Sequence, residues 1–302
     1  MTGYNKSVLV YSCLAFAMIV WGLSFLAIKD VVSHIPVFTL LFLRFAIATI
    51  LLGTLGYIKG SLAVPKRDLA TLAGLSLLSP IGYFLFETFG VAATQASHVS
   101  VIIAAIPTAV FVIALGKHQE KATSRKVLGL FITYLGIFLL VFSGLHETGA
   151  SLMGDMLVFG AVMCAAMRTV LIKDTLKRVT PLQLTFYQFM LSLAVFGPLA
   201  ATDDWSWVQS AGLMQVLEVL FLGIFCSAGA YLAMHYALTR LSATQVAAAT
   251  SVIPVITLFA EAILMGTHIS MLKGLGTAAA IVGVLFVQTR NLRRRNAAIE
   301  GG

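Results

Sequence analysis

Apolar residues run along the chain in ten long stretches, which are separated by short polar connections. A helix needs about 20 apolar residues to cross the hydrocarbon core of a bilayer, which is ~30 Å thick. Each stretch is long enough for one crossing. The pattern therefore predicts ten transmembrane helices, over residues 8–28, 35–58, 69–93, 97–116, 127–144, 152–172, 182–201, 212–238, 243–265 and 270–290.

The order of residues along the chain repeats once. Ile28-Lys29-Asp30 recurs as Ile172-Lys173-Asp174, and the match continues at a constant offset of 144 residues to Phe45 and Phe189. Further along, the offset is 147 residues, and the three-residue slip falls in the connection between the seventh and eighth spans. The pairs matched at this second offset include Gly82 and Gly229, Pro107 and Pro254, Gly129 and Gly276, and Gly136 and Gly283.

The number of spans in each repeat decides how the two repeats are oriented. Each repeat has five spans, and because five is odd, equivalent helices cross the membrane in opposite directions. The expected fold is an all-α integral membrane protein with ten transmembrane helices in two five-helix inverted repeats, an organisation found in transporters. We expect residues 1–147 to form the first repeat, 148–291 the inverted second repeat, and 292–302 a basic cytoplasmic tail.

The basic residues predict the orientation in the membrane. All but four of the 20 Lys and Arg residues lie on the side of the N-terminus, in alternate connections and in the two ends of the chain. The exceptions are Lys29 and Lys273 on the other side and Arg44 and Arg168 within spans. Cytoplasmic loops retain Lys and Arg, so both termini are predicted to be cytoplasmic.

Composition excludes several classes of protein. Apolar residues make up 59% of the chain and charged residues 11%, with a mean hydropathy of +0.97, so the bilayer is the expected solvent. The net charge of +8 is explained by the basic connections, and we expect no nucleic-acid partner. Cys13, Cys164 and Cys226 are isolated in apolar stretches, so we expect neither a metal nor a disulfide, and no cofactor.

Catalytic motifs are also missing from the sequence. A membrane enzyme acting on lipids would need clustered carboxylates, or a nucleophile beside a base. The chain has no HExxH motif, and Asp203 and Asp204 lie in a short connection without partners for such chemistry. We therefore expect no catalytic residue and no enzyme.

Two ionisable residues are predicted near the middle of the membrane. A charge in hydrocarbon costs at least about 2.5–3.5 kcal/mol, so it should face a cavity or a partner. Arg44 in the second span and Glu87 in the third are placed within about 6 Å of each other in depth. They either lock two helices together or bind a substrate, with its carboxylate at Arg44 and an amino group or proton at Glu87. Both interpretations stay open.

Other residues are candidates for the same site. Trp21 lies too deep for an interfacial belt and is predicted to wall the cavity, and Tyr83 shares a helix face with Glu87. Tyr231 and His235 repeat that spacing in the eighth span, although aromatic packing and a satisfied core histidine are the simpler explanations. Arg168 lies near the end of the sixth span and is expected to snorkel to the interface. Two further groups are candidates of other kinds: Glu87 and Glu261 as proton sites, and Pro107 and Pro254 as helix kinks that expose backbone to a cavity.

Several motifs follow one another along the first repeat. They are Trp21-Gly22-x-x-Phe25-x-x-Ile28-Lys29, Leu43-Arg44-Phe45, Phe84-Leu85-Phe86-Glu87, Ala92-Ala93-Thr94-Gln95-Ala96-Ser97, Pro107, Glu120, Gly129 and Gly136. In their order and spacing they resemble the motifs of the drug/metabolite transporter superfamily, in particular its EamA-type members. The second repeat departs from the pattern at Thr267, in place of the loop acid, and at Ala165-Ala166, in place of Trp-Gly. The resemblance covers nearly the whole chain and implies ten helices and export of metabolites, amino acids or xenobiotics without ATP.

The expected function is therefore a secondary transporter in a bacterial inner membrane, exporting small organic metabolites such as amino acids by alternating access. The alternatives are a non-transporting membrane scaffold or regulator and, with less support, a lipid-modifying membrane enzyme. The expected partners are a small-molecule substrate and the lipid bilayer. Gly276, Ala280 and Gly283 permit close packing with a neighbouring helix, which either belongs to the same chain or makes a homodimer.

Overall fold

The structure is a computed structural model, and it describes residues 3–116, 122–144, 151–241, 246–247, 249–266 and 270–288. Within these ranges the regular structure is entirely helical. The α-helices are α1 (Gly3–Val31), α2 (Val37–Ile58), α3 (Lys66–Ser76), α4 (Tyr83–Ala93), α5 (Ala96–Ile103), α6 (Ile106–Gly116), α7 (Ser124–Gly144), α8 (Leu152–Thr175), α9 (Pro181–Ala200), α10 (Leu213–Phe221), α11 (Ala230–Leu238), α12 (Ile253–Met265) and α13 (Met271–Gln288).

These helices reproduce the predicted spans. Among the described residues, seven helical stretches are long and apolar enough to cross a membrane, and Thr250–Leu264 and Met271–Phe286 are shorter apolar helices. Helix α7 adds a stretch of 21 residues. The prediction of an all-α membrane protein with an internal repeat is confirmed.

The packing of α2 against α9 shows that the repeats are inverted. A Cβ atom added at Gly53 would lie 3.0 Å from the Phe186 ring, and one added at Gly197 would lie 3.8 Å from the Phe42 ring. Higher residue numbers in α2 therefore contact lower residue numbers in α9, which means that the two helices are antiparallel. Since Phe42 and Gly53 are the repeat equivalents of Phe186 and Gly197, equivalent helices run in opposite directions.

Helices α7 and α13 are packed in the same antiparallel way, at a backbone-to-backbone distance that requires glycine. A Cβ atom at Gly136 would lie 2.4 Å from the Ala280 backbone nitrogen and 2.6 Å from the Gly276 carbonyl oxygen. A Cβ atom at its equivalent, Gly283, would lie 2.4 Å from the Thr133 nitrogen. The small residues of the tenth span thus pack within the same chain.

Four spans are interrupted, in two equivalent pairs. Wide π-helical turns at Leu77–Gly82 and Leu222–Gly229 join α3 to α4 and α10 to α11. Gly82 and Gly229 are repeat equivalents, and the first turn is opened further at Ser79, whose φ of −158° and ψ of 125° are not helical. In the fourth and ninth spans the α-helix is interrupted shortly before a proline, at Ala104 and Ala105 and at the 3₁₀ turn Thr250–Val252. Interrupted helices place backbone polar groups in the interior, where they need partners or a cavity.

The centre of the bundle is aromatic. Phe45 stacks on its repeat equivalent, Phe189, with ring centroids 5.2 Å apart and planes inclined by 22°. Phe84 and Phe196 pack on Phe45 at 5.1 Å and 5.6 Å. The two halves therefore meet through equivalent residues at a buried apolar contact.

Asp203 has a structural partner in the other half of the protein. Its Oδ2 atom accepts hydrogen bonds from the backbone nitrogen and the hydroxyl of Thr39, both at 2.8 Å. Thr39 lies in the first turn of α2, where backbone N–H groups have no partner within the helix. Asp203 thereby caps α2 from the other half of the protein.

We predict that Gly136→Ala lowers the melting temperature, because the new Cβ atom meets backbone atoms that cannot move aside. Overpacking of this kind costs about 1–3 kcal/mol. The measurement is thermal unfolding of the detergent-purified protein. Gly74→Ala is the matched control, since a Cβ atom there meets no described atom within 4 Å. Equal melting temperatures for the two variants would contradict the close approach of α7 and α13.

Candidate functional site

A cavity lies between the two halves at the level of the interrupted helices. About 80 Å³ of it can hold the centre of a water molecule, which is room for several waters or a small organic solute. Its walls are mostly apolar, with a few polar groups, as in small-molecule sites. The described lining residues with polar or aromatic side chains include Trp21, Ser24, Arg44, Ser79, Tyr83, Phe84, Glu87, Arg168, Thr169, Tyr231 and Thr250.

Arg44 projects from α2 and is 1% exposed. Its Nε atom donates to the Ser227 hydroxyl at 3.1 Å, and its guanidinium carbon lies 4.3 Å from the centroid of the Phe84 ring. The Nη1 atom has no hydrogen-bond partner among the described residues. The guanidinium is therefore oriented by protein contacts but keeps unused donor capacity beside the cavity.

Glu87 projects into the same cavity from α4. Its Oε2 atom accepts a hydrogen bond from the Thr88 hydroxyl at 3.2 Å. Among the described ion pairs within 4.0 Å, none joins Glu87 to Arg44. The two charges share a cavity without forming a salt bridge, so each side chain is available to a ligand.

The contact that orients Arg44 has a counterpart in the second repeat. Gln188 is the equivalent of Arg44, and its Nε2 atom donates to the Ser79 carbonyl at 2.9 Å. Ser79 and Ser227 lie in the two wide turns. Each central helix thus holds the wide turn of the opposite half through a polar side chain.

Arg168 lies at the cavity, so the expectation that it snorkels to the interface is wrong. It is 4% exposed and donates from Nη2 to the Gln188 side-chain oxygen at 3.3 Å. The same Nη2 atom contacts His235 Nε2. The predicted span ended at residue 172, but α8 continues to Thr175, which leaves Arg168 about 10 Å of helix from its end.

The internal repeat contains a pattern that predicts a cavity-lining position for Arg168. Its equivalent in the first half is Ser24, three residues after Trp21 and therefore on the same helix face. Both Trp21 and Ser24 line the cavity. A residue equivalent to Ser24 is expected on the corresponding face of α8.

The aromatic candidates form one wall. Trp21 donates from Nε1 to the Cys226 carbonyl at 3.0 Å, and its ring meets Tyr231 edge-on at 5.4 Å. Tyr231 also packs against Phe84 at 5.8 Å, and Phe84 against Tyr83 at 5.1 Å. All four rings line the cavity.

The remaining candidates lie elsewhere. His235 is behind Arg168 and bonds to the Thr185 hydroxyl at 2.8 Å, so it does not belong to the described lining. Glu261 lies outside the cavity, 4.0 Å from the Lys273 ammonium. The prolines Pro107 and Pro254 are also absent from the described lining, although the residues before them, Ile106 and Ile253, belong to it. Glu120, Thr267 and residues 292–302 lie outside the described residues.

Among the described residues, the lining of the cavity extends towards one end of the bundle. Leu238, Val246 and Ala247 line it near the end of α11 and the start of the ninth span. Their repeat equivalents at the other end are Val91, Val99 and Ser100, which are fully buried and do not belong to the described lining. Two repeats of similar sequence therefore adopt different arrangements at the two ends.

Polar contacts close the end where α4 terminates. The Lys29 ammonium donates to the carbonyls of Val91, Ala92 and Thr94 at 3.0, 3.0 and 2.8 Å. Asp155, in the first turn of α8, accepts from the Thr94 hydroxyl at 2.9 Å and lies 3.3 Å from His98 Nδ1. The contacts of Lys29 join α1 to α4 within the first half, and those of Asp155 join the two halves.

Two antiparallel repeats, interrupted helices and a central cavity between the halves form an architecture that is typical of membrane transporters. The chain belongs to the EamA-like transporter family, whose sequence model matches it twice, over residues 8–142 and 152–289.

Individual relatives agree with this assignment. The chain is 29% identical over 279 residues to an uncharacterized transporter from Archaeoglobus fulgidus, which covers 90% of this chain and 94% of that protein. It is also 24% identical over 302 residues to a protein from Salmonella typhimurium named "probable amino-acid metabolite efflux pump". This match covers 94% of this chain and 96% of that protein. A solved crystal structure matches with a TM-score of 0.70 at 17% identity, covering 95% of this chain and 98% of that chain, and shows a shared fold.

We predict that a cysteine at Ala247 reacts faster with a maleimide than one at its equivalent, Ser100. Ala247 lines the cavity at its extended end, whereas Ser100 is fully buried at the closed end. The measurement is the labelling rate of Ala247→Cys and Ser100→Cys in detergent, with the three native cysteines replaced by serine. Equal rates would contradict the asymmetry of the cavity.

Proposed function

We propose that the protein is a secondary transporter that exports small organic metabolites, such as amino acids or related compounds, by alternating access. The moving bodies in this proposal are the two repeats, residues 1–147 and 148–291, with 292–302 as a cytoplasmic tail. The proposal is supported by family membership and by the name of the Salmonella typhimurium relative. Its main structural support is the cavity between the halves, which is closed at one end and extended at the other.

Alternating access follows from the repeat. The two ends of the cavity are built from equivalent residues in different arrangements, Leu238 and Ala247 at one end and Val91 and Ser100 at the other. If the halves exchange arrangements, the extended end closes and the closed end opens. The contacts of Asp155 with Thr94 and His98 cross between the halves at the closed end, and they are those that break in this exchange.

The charges favour a solute that carries both signs. Arg44 has unused donors and Glu87 is not paired with it, so a carboxylate and an ammonium group can each find an opposite charge. The rings of Trp21, Tyr83 and Tyr231 provide apolar contact and, for the ammonium group, cation–π attraction. An amino acid has both charged groups on one carbon atom.

The proposed orientation in the membrane comes from the basic connections. They predict that both termini are cytoplasmic, and the same count predicts that the end of α11 lies on the cytoplasmic side. In this orientation the cavity extends towards the cytoplasm, where an exporter loads its substrate, and export itself is supported by the name of the Salmonella typhimurium relative. We propose the inner membrane of a bacterium as the location.

We predict that proteoliposomes preloaded with an unlabelled amino-acid mixture take up labelled amino acids by exchange. Glu87→Gln is expected to reduce exchange about tenfold or more, because an ammonium group loses a charged partner worth about 1.5–3 kcal/mol. Glu261→Gln is the control, since Glu261 lies outside the cavity and is expected to retain exchange.

Both variants are first checked by thermal unfolding. A folded wild-type protein that exchanges no solute from a broad panel would contradict the transport proposal. Full exchange by Glu87→Gln would contradict only the role given to Glu87.

A further inference from the structure

We propose that Arg168 is a second anion-binding group of the cavity and that the preferred substrates are amino acids with two carboxylates. This inference rests on the proposed function, since it names the substrate class of the same site. It depends on three observations: the charge of the lining, the placement of the two guanidinium groups, and their unused donors.

The charge of the cavity is not balanced. Among the described lining residues, Arg44 and Arg168 are positive and Glu87 is negative, which leaves one positive charge in excess. An uncompensated charge in a low-dielectric interior is costly, and a ligand of opposite charge removes that cost. A zwitterion has no net charge and leaves the excess in place. An amino acid with an acidic side chain has one net negative charge and balances it.

The guanidinium groups lie towards opposite ends of the cavity. Arg44 is about seven residues after the start of α2, and Arg168 is about seven residues before the end of α8. Both helices cross the membrane in the same direction, since they belong to the second and sixth of ten spans. Each arginine is therefore about 10 Å of helix from a different face of the bundle.

Two packed rings separate the arginines. The Arg44 guanidinium lies 4.3 Å from the Phe84 centroid, and the Arg168 guanidinium lies 5.7 Å from the Tyr231 centroid. The centroids of these two rings are 5.8 Å apart. Glu87 is three residues after Phe84 on α4 and is thus on the Arg44 side. The α-carboxylate and ammonium groups would bind Arg44 and Glu87, and the side chain would cross the rings to Arg168.

Both arginines have donors to offer. Arg44 Nη1 and Arg168 Nε are buried without a partner among the described residues. A buried N–H group without an acceptor carries a desolvation cost, which a bound carboxylate would remove. Gln188 and His235 hold the opposite edge of the Arg168 guanidinium through Nη2, so they act as positioning residues.

The test measures binding separately from transport. We predict that calorimetric titration of the detergent-purified protein shows tighter binding of L-glutamate or L-aspartate than of L-glutamine by about ten- to a hundredfold, the effect of one buried charge-assisted contact. Glutarate, which lacks the amino group, should bind more weakly than glutamate because it leaves Glu87 unpaired.

Variants assign the preference to Arg168. R168Q should retain glutamine binding and lose the preference for glutamate, whereas R168K should keep part of it. R44Q should weaken glutamate and glutamine alike, since both have an α-carboxylate. Retained glutamine binding would show that R168Q is folded. If R168Q does not fold, the test uses R168K and the ratio of glutamate to glutamine affinity in the wild-type protein.

The outcomes separate this inference from the proposed function. Equal binding of glutamate and glutamine, together with amino-acid exchange in proteoliposomes, would overturn the role of Arg168 and leave the transporter proposal standing. An unchanged preference of R168Q for glutamate over glutamine would also overturn the role of Arg168 and leave the transporter proposal standing. No exchange of any amino acid by the folded wild-type protein would count against the proposed function itself.

Discussion

The contact between α2 and α9 is the one on which the site depends. Phe45 stacks on Phe189, and the residues immediately before them, Arg44 and Gln188, reach the wide turns of the opposite halves at Ser227 and Ser79. An apolar stack between equivalent residues sets the register of two antiparallel helices. That register brings polar side chains to the openings in the wide turns, where backbone groups need partners. The cavity is thus bounded by contacts that cross from one repeat to the other.

The helical framework is common to the two repeats, whereas the charged residues of the cavity differ between them. Arg44 is matched by Gln188, and Arg168 by Ser24, so neither arginine has a charged equivalent. Even so, one guanidinium lies on each side of the aromatic rings. The two halves reach a similar charge placement from different positions, which suits a ligand with an anionic group at each end. A site made only of equivalent residues would have its charges related by the same pseudo-twofold symmetry as the helices.

The sequence predicts the fold and most of the cavity, and the reasons for success and failure are physical. Span number and inversion follow from apolar run length and the offset between repeats, both of which are local properties. Trp21, Arg44, Tyr83, Glu87 and Tyr231 line the cavity, because polar and aromatic residues at mid-depth in a membrane have few alternatives to a cavity.

The predictions that are wrong concern helix ends, helix faces and long-range contacts, which the length of an apolar stretch does not determine. Arg168 was misplaced because the end of a helix cannot be read to within one turn. Depth also leaves the helix face undetermined. Glu261 is in a span, as expected, but lies near Lys273 of α13 rather than the cavity. The carbonyls that receive the Lys29 ammonium lie more than 60 residues away along the chain and become neighbours only when α1 packs against α4.

The position of the two arginines explains how binding can be linked to the exchange of arrangements. A ligand shifts a conformational equilibrium only as far as its affinity differs between the two states. A solute held by Arg44 and Glu87 alone touches charges of the first repeat only, and moves with that repeat as a rigid body. A solute that also reaches Arg168 is bonded to both repeats, so its contacts change when the repeats move relative to each other. In the proposed transport cycle the second anionic group therefore does more than select the substrate. It makes the bound state sensitive to the arrangement of the halves, and so allows the substrate itself to oppose or favour the contacts of Asp155 at the closed end.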